Sequence, residues 1–405
     1  MRILTVGWES FSSLSSEYPQ RAELHFSGCS FFRQRLVYSL LSGRLVIIRD
    51  IRKHENEPGI REFEVKLLVL LEKVTNGTRI RINETGTEVL FSPGMVMGGS
   101  LDFDCGTDRF FSWFRKQKMS HLITSFSSYY VEPLLMLAPF CKYPLKVELR
   151  GVTNSPGELS IDAIRATWLP VFNKFVRAFE SPEIKIVARG YKPDGGGCVL
   201  FTAPITRTLR PVQSMGKVCK IRGIALIAKV SPSIAHRMID AAKKALRNYV
   251  ADVYITIDQR KGAAGGSSPG FGLFLTAETT EGIVYHGNAL SKPKGEQGNQ
   301  ALPEDVGHGA ACQLLDQIYA GGCVDITAQA LAVTFMALCE KDVSTYLFGP
   351  LSVCWFLLKS FFEIKFKIEE WNKQCVDNKQ RLGSNEKALL TCIGIGYSNL
   401  NKTVL

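Results

Sequence analysis

From Leu24 onward, apolar and polar positions alternate in a way that divides the chain into short strands and amphipathic helices. A helical period covers 32–41, a short apolar run predicts a strand over 46–51, and 61–75 is helical again with Phe63, Leu67, Leu70, Leu71 and Val74 on one face. Asn76-Gly77 closes that helix, because glycine takes the left-handed conformation that ends a helix without a Cβ penalty. Strands over 79–83 and 88–91 then flank the Thr85-Gly86 turn. After loops at Pro93-Gly94 and Gly98-Gly99 the series recurs, with a helix over 129–138, a strand over 145–150, a helix over 160–179 and strands over 184–188 and 198–202. Two units in the order helix, strand, helix, strand, strand imply a structural repeat.

The pattern shifts at Val212 to a more compact α/β unit: strand 221–230, helix 233–249, strands 253–258 and 273–279. A Gly-, Lys- and Gln-rich linker over 291–300 leads to helices over 303–319, 327–339 and 350–362 and strands over 363–369 and 388–394. Two stretches fall outside the pattern. Residues 1–22 are Ser-rich and aperiodic, the expectation for a disordered leader. Residues 107–128 interleave aromatic residues with cations, beginning Thr107-Asp108-Arg109-Phe110-Phe111-Ser112-Trp113-Phe114-Arg115-Lys116. They are either a stacking surface for single-stranded nucleic acid or an amphipathic surface piece.

Length and charge narrow the classes. At 405 residues the chain exceeds the size at which one core keeps growing, so more than one domain is expected. Lys and Arg outnumber Asp and Glu by 49 to 38, an excess that suits a polyanionic partner. The eleven cysteines are odd in number and widely spaced with no CxxC pair, which argues against a disulfide framework and a zinc ribbon and favours a reducing compartment. No apolar run approaches the ~18 residues of a membrane helix, so no membrane partner is expected. The six histidines show no HExxH, HxH or Cys-paired spacing, and Arg260-Lys261-Gly262-Ala263-Ala264-Gly265-Gly266-Ser267-Ser268-Pro269-Gly270 lacks P-loop order. No dinucleotide fingerprint follows a strand, which leaves a nucleotide-using metabolic enzyme without a motif.

One stretch offers anion chemistry: Ala188-Arg189-Gly190-Tyr191-Lys192-Pro193-Asp194-Gly195-Gly196-Gly197-Cys198-Val199. Three glycines let backbone N–H groups approach an oxyanion while Arg189 and Lys192 supply charge. A glycine-rich hairpin with incidental cations explains the same residues.

Several segments in order carry a resemblance: Ser27-Gly28-Cys29-Ser30-Phe31-Phe32-Arg33-Gln34-Arg35-Leu36, Glu57-Pro58-Gly59-Ile60-Arg61, Arg150-Gly151-Val152-Thr153-Asn154, the Arg189 to Gly197 run, Ser268-Pro269-Gly270-Phe271-Gly272 and Cys392-Ile393-Gly394-Ile395-Gly396-Tyr397-Ser398-Asn399-Leu400. Together they resemble the RNA 3'-terminal phosphate cyclase family, and more closely its eukaryotic non-cyclase branch. The resemblance implies an α/β (α+β) fold of three βαβαββ repeats around a pseudo-three-fold axis with a smaller inserted α/β domain. On this chain that becomes a leader over 1–22, the first two repeats over 23–205 with 107–128 as an apparent insertion, the inserted domain over 206–290, the third repeat over 291–380, and a terminal strand and tail over 381–405.

As the resemblance implies, true cyclases adenylate a histidine, pass AMP to a terminal RNA phosphate and let the vicinal 2'-OH displace it. Their first loop carries Glu-Gly-Gly-Gly-Gln ahead of an Arg; here Phe26, Ser27, Gly28, Cys29 and Ser30 stand there, with Gly28 and Arg33 kept. Their Asp-Gln pair appears as Cys312-Gln313, and cysteine is a poor ligand for a hard cation. No histidine follows His308, and the region near Gly349-Pro350-Leu351, where the nucleophile belongs, offers none. Phe26, Ser30 and Cys312 therefore read as lost cyclase positions, and no metal or cofactor is expected. The family fold would gather Arg33, Arg35, Arg150, Arg189, Lys192, Gly195, Gly196, Gly197 and Gln313 toward one phosphate-binding cleft.

The branch implies a non-cyclase ribosome-biogenesis factor that acts on pre-rRNA toward the small-subunit 18S rRNA. It also implies small-subunit processome proteins and a large nucleolar GTPase as partners, in the nucleus and nucleolus. Endonucleolytic cleavage of pre-rRNA is a further option, for which Asp316 or Asp342 could serve as base although nothing in the sequence selects them. The alternative is an ATP-dependent cyclase with His308 as a relocated nucleophile.

Overall fold

The structure, a computed structural model, describes residues 3–5, 23–106, 126–176, 178–210, 218–293, 301–352, 354–371 and 387–399. Of the expected leader, only β1 (Ile3–Thr5) falls within them, paired in parallel with Arg79–Ile82. The aromatic and basic segment lies outside the described residues over 107–125, and 126–128 already belong to the following repeat.

The first unit runs β2 (Leu24–Ser27), α1 (Phe32–Ser42), β3 (Val46–Arg49), α2 (Glu62–Val74), β4 (Thr75–Asn76), β5 (Arg79–Ile82), β6 (Val89–Ser92) and β7 (Met95–Val96). β2 and β3 are parallel because a helix crosses between them, whereas β5 and β6 form a hairpin. α2 forms where its apolar stripe was legible and buries Leu67, Leu70, Leu71 and Val74. The Glu64 carboxylate caps its start by accepting the Arg61 N–H at 2.7 Å.

The second unit runs β8 (Gly98–Asp104), α3 (Ser127–Leu137), β9 (Tyr143–Gly151) and α4 (Ile161–Ala163), which passes through a π-turn at Ile164–Trp168 into α5 (Leu169–Phe175). It closes with β10 (Glu183–Ala188) and β11 (Gly197–Ala203). The sheet orders are β1-β5-β6-β3-β2 and β10-β11-β9-β8. In each unit the first, second, fourth and third strands of a βαβαββ series lie side by side, so the repeat is one of topology.

Next come β12 (Val218–Ala228), α6 (Ser233–Leu246), β13 (Val253–Arg260), β14 (Gly270–Thr279), β15 (Val284–Leu290) and α7 (Pro303–Ala320). Their sheet has the order β13-β12-β14-β15, and both α6 and α7 pack against it. α7 was expected to open the third repeat at 291. Its contacts with α6, β14 and β15 place it on the inserted sheet instead. The close approach runs through Gly307, where a Cβ would collide with the Met238 carbonyl oxygen.

The third unit has α8 (Gln329–Leu338), β16 (Val343–Phe348), α9 (Cys354–Phe362), β17 (Phe366–Glu370) and β18 (Ala388–Ile393), with strand order β16-β18-β17. Helices of all three units meet in one continuous hydrophobic core. Phe140, Phe172 and Phe175 pack edge-on around Phe335, and Tyr38 on α1 hydrogen-bonds Thr334 on α8 at 2.8 Å. That shared core fixes the loops at the strand ends, where the candidate site lies. The nine cysteines resolved as free among the described residues include none in a disulfide, and no described helix is long and apolar enough to cross a membrane.

Candidate functional site

The glycine run forms the turn between β10 and β11. Gly195 and Gly196 have φ of 64° and 77°, the left-handed region that glycine enters freely. A second demand is steric: a Cβ on Gly196 would stand 2.6 Å from Ser267 Oγ. The turn is docked on the loop after β13. Ser267 N–H donates to Gly195 O at 3.0 Å, Asp194 N–H donates to Ser268 Oγ at 3.0 Å, and Ser268 Oγ donates to Asp194 Oδ2 at 3.0 Å. The amides of Asp194 and Gly195 are thus already donated, to Ser268 and Tyr191 respectively.

Arg189 requires a correction to the expected phosphate role. It is 1% exposed, and its guanidinium binds Asp162 through two bonds of 2.7 and 3.1 Å while Nε binds Asp258 at 2.8 Å. Burial alone would raise the Asp162 carboxyl, but the Arg189 guanidinium outweighs it and holds that carboxyl below the usual range. Burial likewise opposes the charge on Arg189, and the Asp162 carboxylate overcomes that. With both carboxylates in place the cation is neutralised beneath the loop, where it ties the second repeat, through Asp162, to the inserted domain, through Asp258.

A pocket of about 350 Å³ opens above it, lined by Asp104, Gly106, Arg150, Gly151, Val152, Asp194, Gly195, Gly196, Gly197, Cys198 and Ser267. Arg150 and the three glycines are therefore brought together as expected, but two carboxylates share the wall, so the cleft is not simply basic. Arg150 is well exposed and pairs with Glu148 through contacts of 2.8 Å. Glu148 also accepts the Cys198 thiol at 3.4 Å; burial first, and then that carboxylate, push the thiol up to about 11. Lys192 lies just outside, its ammonium 4.5 Å from the Phe126 ring centroid, with no carboxylate partner among the described residues.

Arg33 and Arg35 flank the other strand-end loop. Arg33 binds Glu132 at 2.9 Å and lies 4.5 Å above the Tyr129 ring. Arg35 is buried, donates to Gly28 O at 2.7 Å, and stacks 4.6 Å above Phe26, whose other contact is a stack on Phe361 at 5.6 Å. Burial lowers the Arg35 pKa, opposed only by the Cys29 thiol, and its Nε has no acceptor. α1 starts with neither a side-chain cap nor an acidic residue in its first turn, so its amide ends are not compensated by its own sequence. The first turn of α3 connects the two loops, with Phe126 under Lys192 and Tyr129 under Arg33. Ser30 is exposed in this loop.

Cys312 and Gln313 sit apart on α7. Cys312 Sγ is 3.5 Å from His308 Nδ1, and Gln313 Oε1 accepts the Asn288 N–H at 3.2 Å. Gln313 does not line the pocket, a second correction to the expected cleft. Asp316 is exposed on the same helix, and Asp342 accepts the Val343 N–H at 2.7 Å at the start of β16. Neither lines the pocket. Among the described residues no group of three or more His, Cys, Asp or Glu could hold a metal ion. Sequence reasoning missed the acids Asp162, Asp258, Glu132 and Glu148 that consume the arginines; no spacing in the chain signals such partners 2 to 99 residues away.

Two βαβαββ units and a third with three described strands on a common core, an inserted α/β domain, and strand-end loops rich in glycine and arginine define the class. The chain belongs to the RNA 3'-terminal phosphate cyclase family, whose model matches residues 24–368. It is 57% identical over 390 residues to the probable RNA 3'-terminal phosphate cyclase-like protein of Caenorhabditis elegans, covering 94% of this chain and 99% of that protein. It is 47% identical to the RNA 3'-terminal phosphate cyclase-like protein of Homo sapiens, covering 95% and 99%. It is 34% identical to the rRNA processing protein rcl1 of Schizosaccharomyces pombe, covering 94% and 98%.

Proposed function

We propose that the chain is a non-cyclase ribosome-biogenesis factor that binds pre-rRNA and acts in rRNA processing, in the maturation of the small-subunit 18S rRNA within the small-subunit processome. The observation that carries this reading is the packing of Phe26. Where the cyclase pattern has a carboxylate, a phenyl ring is held between the Arg35 guanidinium and Phe361. Such a ring has no lone pair to offer a cation or a nucleotide. The relationship along nearly the whole chain to a fission-yeast protein named for rRNA processing supports the same role.

Within this reading, Arg150 and Lys192 meet RNA phosphates at the rim of the glycine pocket. An exposed Arg–Glu pair is weak in water, and a phosphate can displace Glu148 from the Arg150 fork. Arg33, Arg35 and Arg189 hold the loops in place from beneath. The proposal extends to a large nucleolar GTPase as partner and to the nucleus and nucleolus as the place of action.

Incubation with labelled ATP and a divalent metal tests the non-cyclase half. No covalent AMP adduct is expected. An adduct that disappears in His308→Ala would sink the reading in favour of a relocated nucleophile.

A further inference from the structure

The inserted domain carries a feature that the glycine pocket does not use. Residues 218–293 hold ten Lys and Arg against five Asp and Glu, a large share of the net charge of +11 in a small part of the chain. Much of it lies on the outward side of α6. Ala235, Met238, Ile239, Ala242 and Leu246 are buried against the sheet and α7, while His236, Arg237, Asp240, Lys243, Lys244 and Arg247 are exposed. At 100° per residue, His236, Lys243 and Arg247 fall in one line along the helix, and Lys244 sits beside them.

Their electrostatic state differs from that of Arg33, Arg150 and Arg189 near the site, which are paired with carboxylates. Arg237 is taken by Glu304 through bonds of 2.6 and 2.8 Å. Lys243, Lys244 and Arg247 have no carboxylate partner among the described residues, and Asp240 is the one acid on that face of the helix. Lys243 and Lys244 in the last turn and Arg247 at the C-cap complement the helix dipole without being spent on a carboxylate. One aromatic ring stands at the same end of the helix: Tyr249, just beyond α6, is 68% exposed. Unpaired cations beside an exposed ring are a combination that binds single strands, with charge for the backbone and the ring for a base.

We infer that the outward face of α6, with Lys243, Lys244, Arg247 and Tyr249, is a second RNA-contact surface that takes a single-stranded segment. The inference rests on the reading that the chain binds RNA and adds a site outside the cleft. A strand held both there and at Arg150 and Lys192 would be anchored on the inserted domain and on the second repeat, the two bodies that the Arg189 network clamps together.

The test uses the full chain and a fluorescent single-stranded RNA, with anisotropy measured across a salt series. Lys243→Gln, Lys244→Gln and Arg247→Gln together should weaken binding at least ten-fold at low salt. They should also reduce the slope of log affinity against log salt by about two, since each single-strand phosphate contact contributes ~0.7. Tyr249→Ala should weaken binding about ten-fold with the slope unchanged, as lost stacking requires. All four side chains are exposed, and unchanged circular dichroism confirms the fold of each variant. Arg150→Gln with Lys192→Gln separates the two sites. If that pair weakens binding while the α6 triple leaves affinity and slope unchanged, the second surface is wrong and the cleft stands. If the triple weakens binding and the pair does not, the second surface stands and the cleft assignment falls. If the wild type binds no RNA, both fall. If the triple loses capture of a polyglutamate peptide while keeping RNA affinity, the face is a protein-docking surface and the inference is overturned.

Discussion

Arg189 shows how a residue that is legible in sequence can have its role reversed by its neighbours. Its position beside three glycines suggested a phosphate ligand, yet the fold buries it against Asp162 and Asp258. Asp162 lies at the start of α4 and Asp258 on the inserted domain, and nothing local in the chain announces that they converge. Asp162→Asn weakens two of the three carboxylate bonds to the buried Arg189 and leaves Asp258 as its remaining carboxylate, so it should cost about 1.5–3 kcal/mol in denaturant unfolding. The pH dependence has a definite sign. The Asp162 carboxyl is held below its ordinary value of ~3.9, so its stabilising effect is present above that pH and is lost as the pH falls through the depressed folded value. Asp325, which is buried against His286 at 2.8 Å, behaves alike: burial would raise it, but His286 and Thr327 hold it down. The wild type should lose stability below about pH 4, and Asp162→Asn should show a smaller acid-dependent loss. An Asp162→Asn chain as stable as wild type at pH 7 would show that the pair is not structural. Phe26, by contrast, was legible as a departure from the cyclase pattern, although its two packing partners were not.

At the scale of elements, most helices and hairpins followed from apolar period and turn residues, because α2 and α6 bury an apolar stripe and α1 and α8, buried on nearly every side, are rich in apolar residues. The strands that the sequence hid are those with weak alternation. β8 begins with Gly98-Gly99, which reads as a loop, and β15 contains His286, Gly287 and Asn288. Both are formed by pairing with neighbours, β8 with β9 and β15 with β14, which a local window cannot contain. The placement of α7 was misread for a similar reason. Chain order put it in the third repeat, while the small residue Gly307 lets it approach α6. Gly307→Val should therefore destabilise the chain by roughly 1–3 kcal/mol through overpacking. Hydrogen exchange should then rise in α6 and α7 together while α1 and α2 keep their protection. Unchanged exchange in α6 would show that the two helices do not depend on that contact.

At the scale of the whole molecule, three topologically alike units share one core, and the inserted domain is fastened to the second of them through the glycine turn and the Arg189 network. That fastening gives the glycine run a structural role first, and the proposed reading assigns the ligand contacts at its rim to Arg150 and Lys192. The excess of positive charge was visible at once from the sequence, but its distribution was not, because so many arginines are spent on internal carboxylates. Among the cations without a carboxylate partner in the described residues are Lys192 beside the pocket and Lys243, Lys244 and Arg247 on α6, where the proposed reading puts an RNA backbone. The central claim is that the chain engages pre-rRNA, and crosslinking in cells followed by sequencing of the recovered RNA measures it directly. Wild-type chain should recover precursor rRNA spanning the small-subunit region well above other abundant RNAs, and recovery should fall when Arg150 and Lys192 are replaced by Gln. Recovery of precursor rRNA no greater than that of unrelated transcripts would contradict the claim.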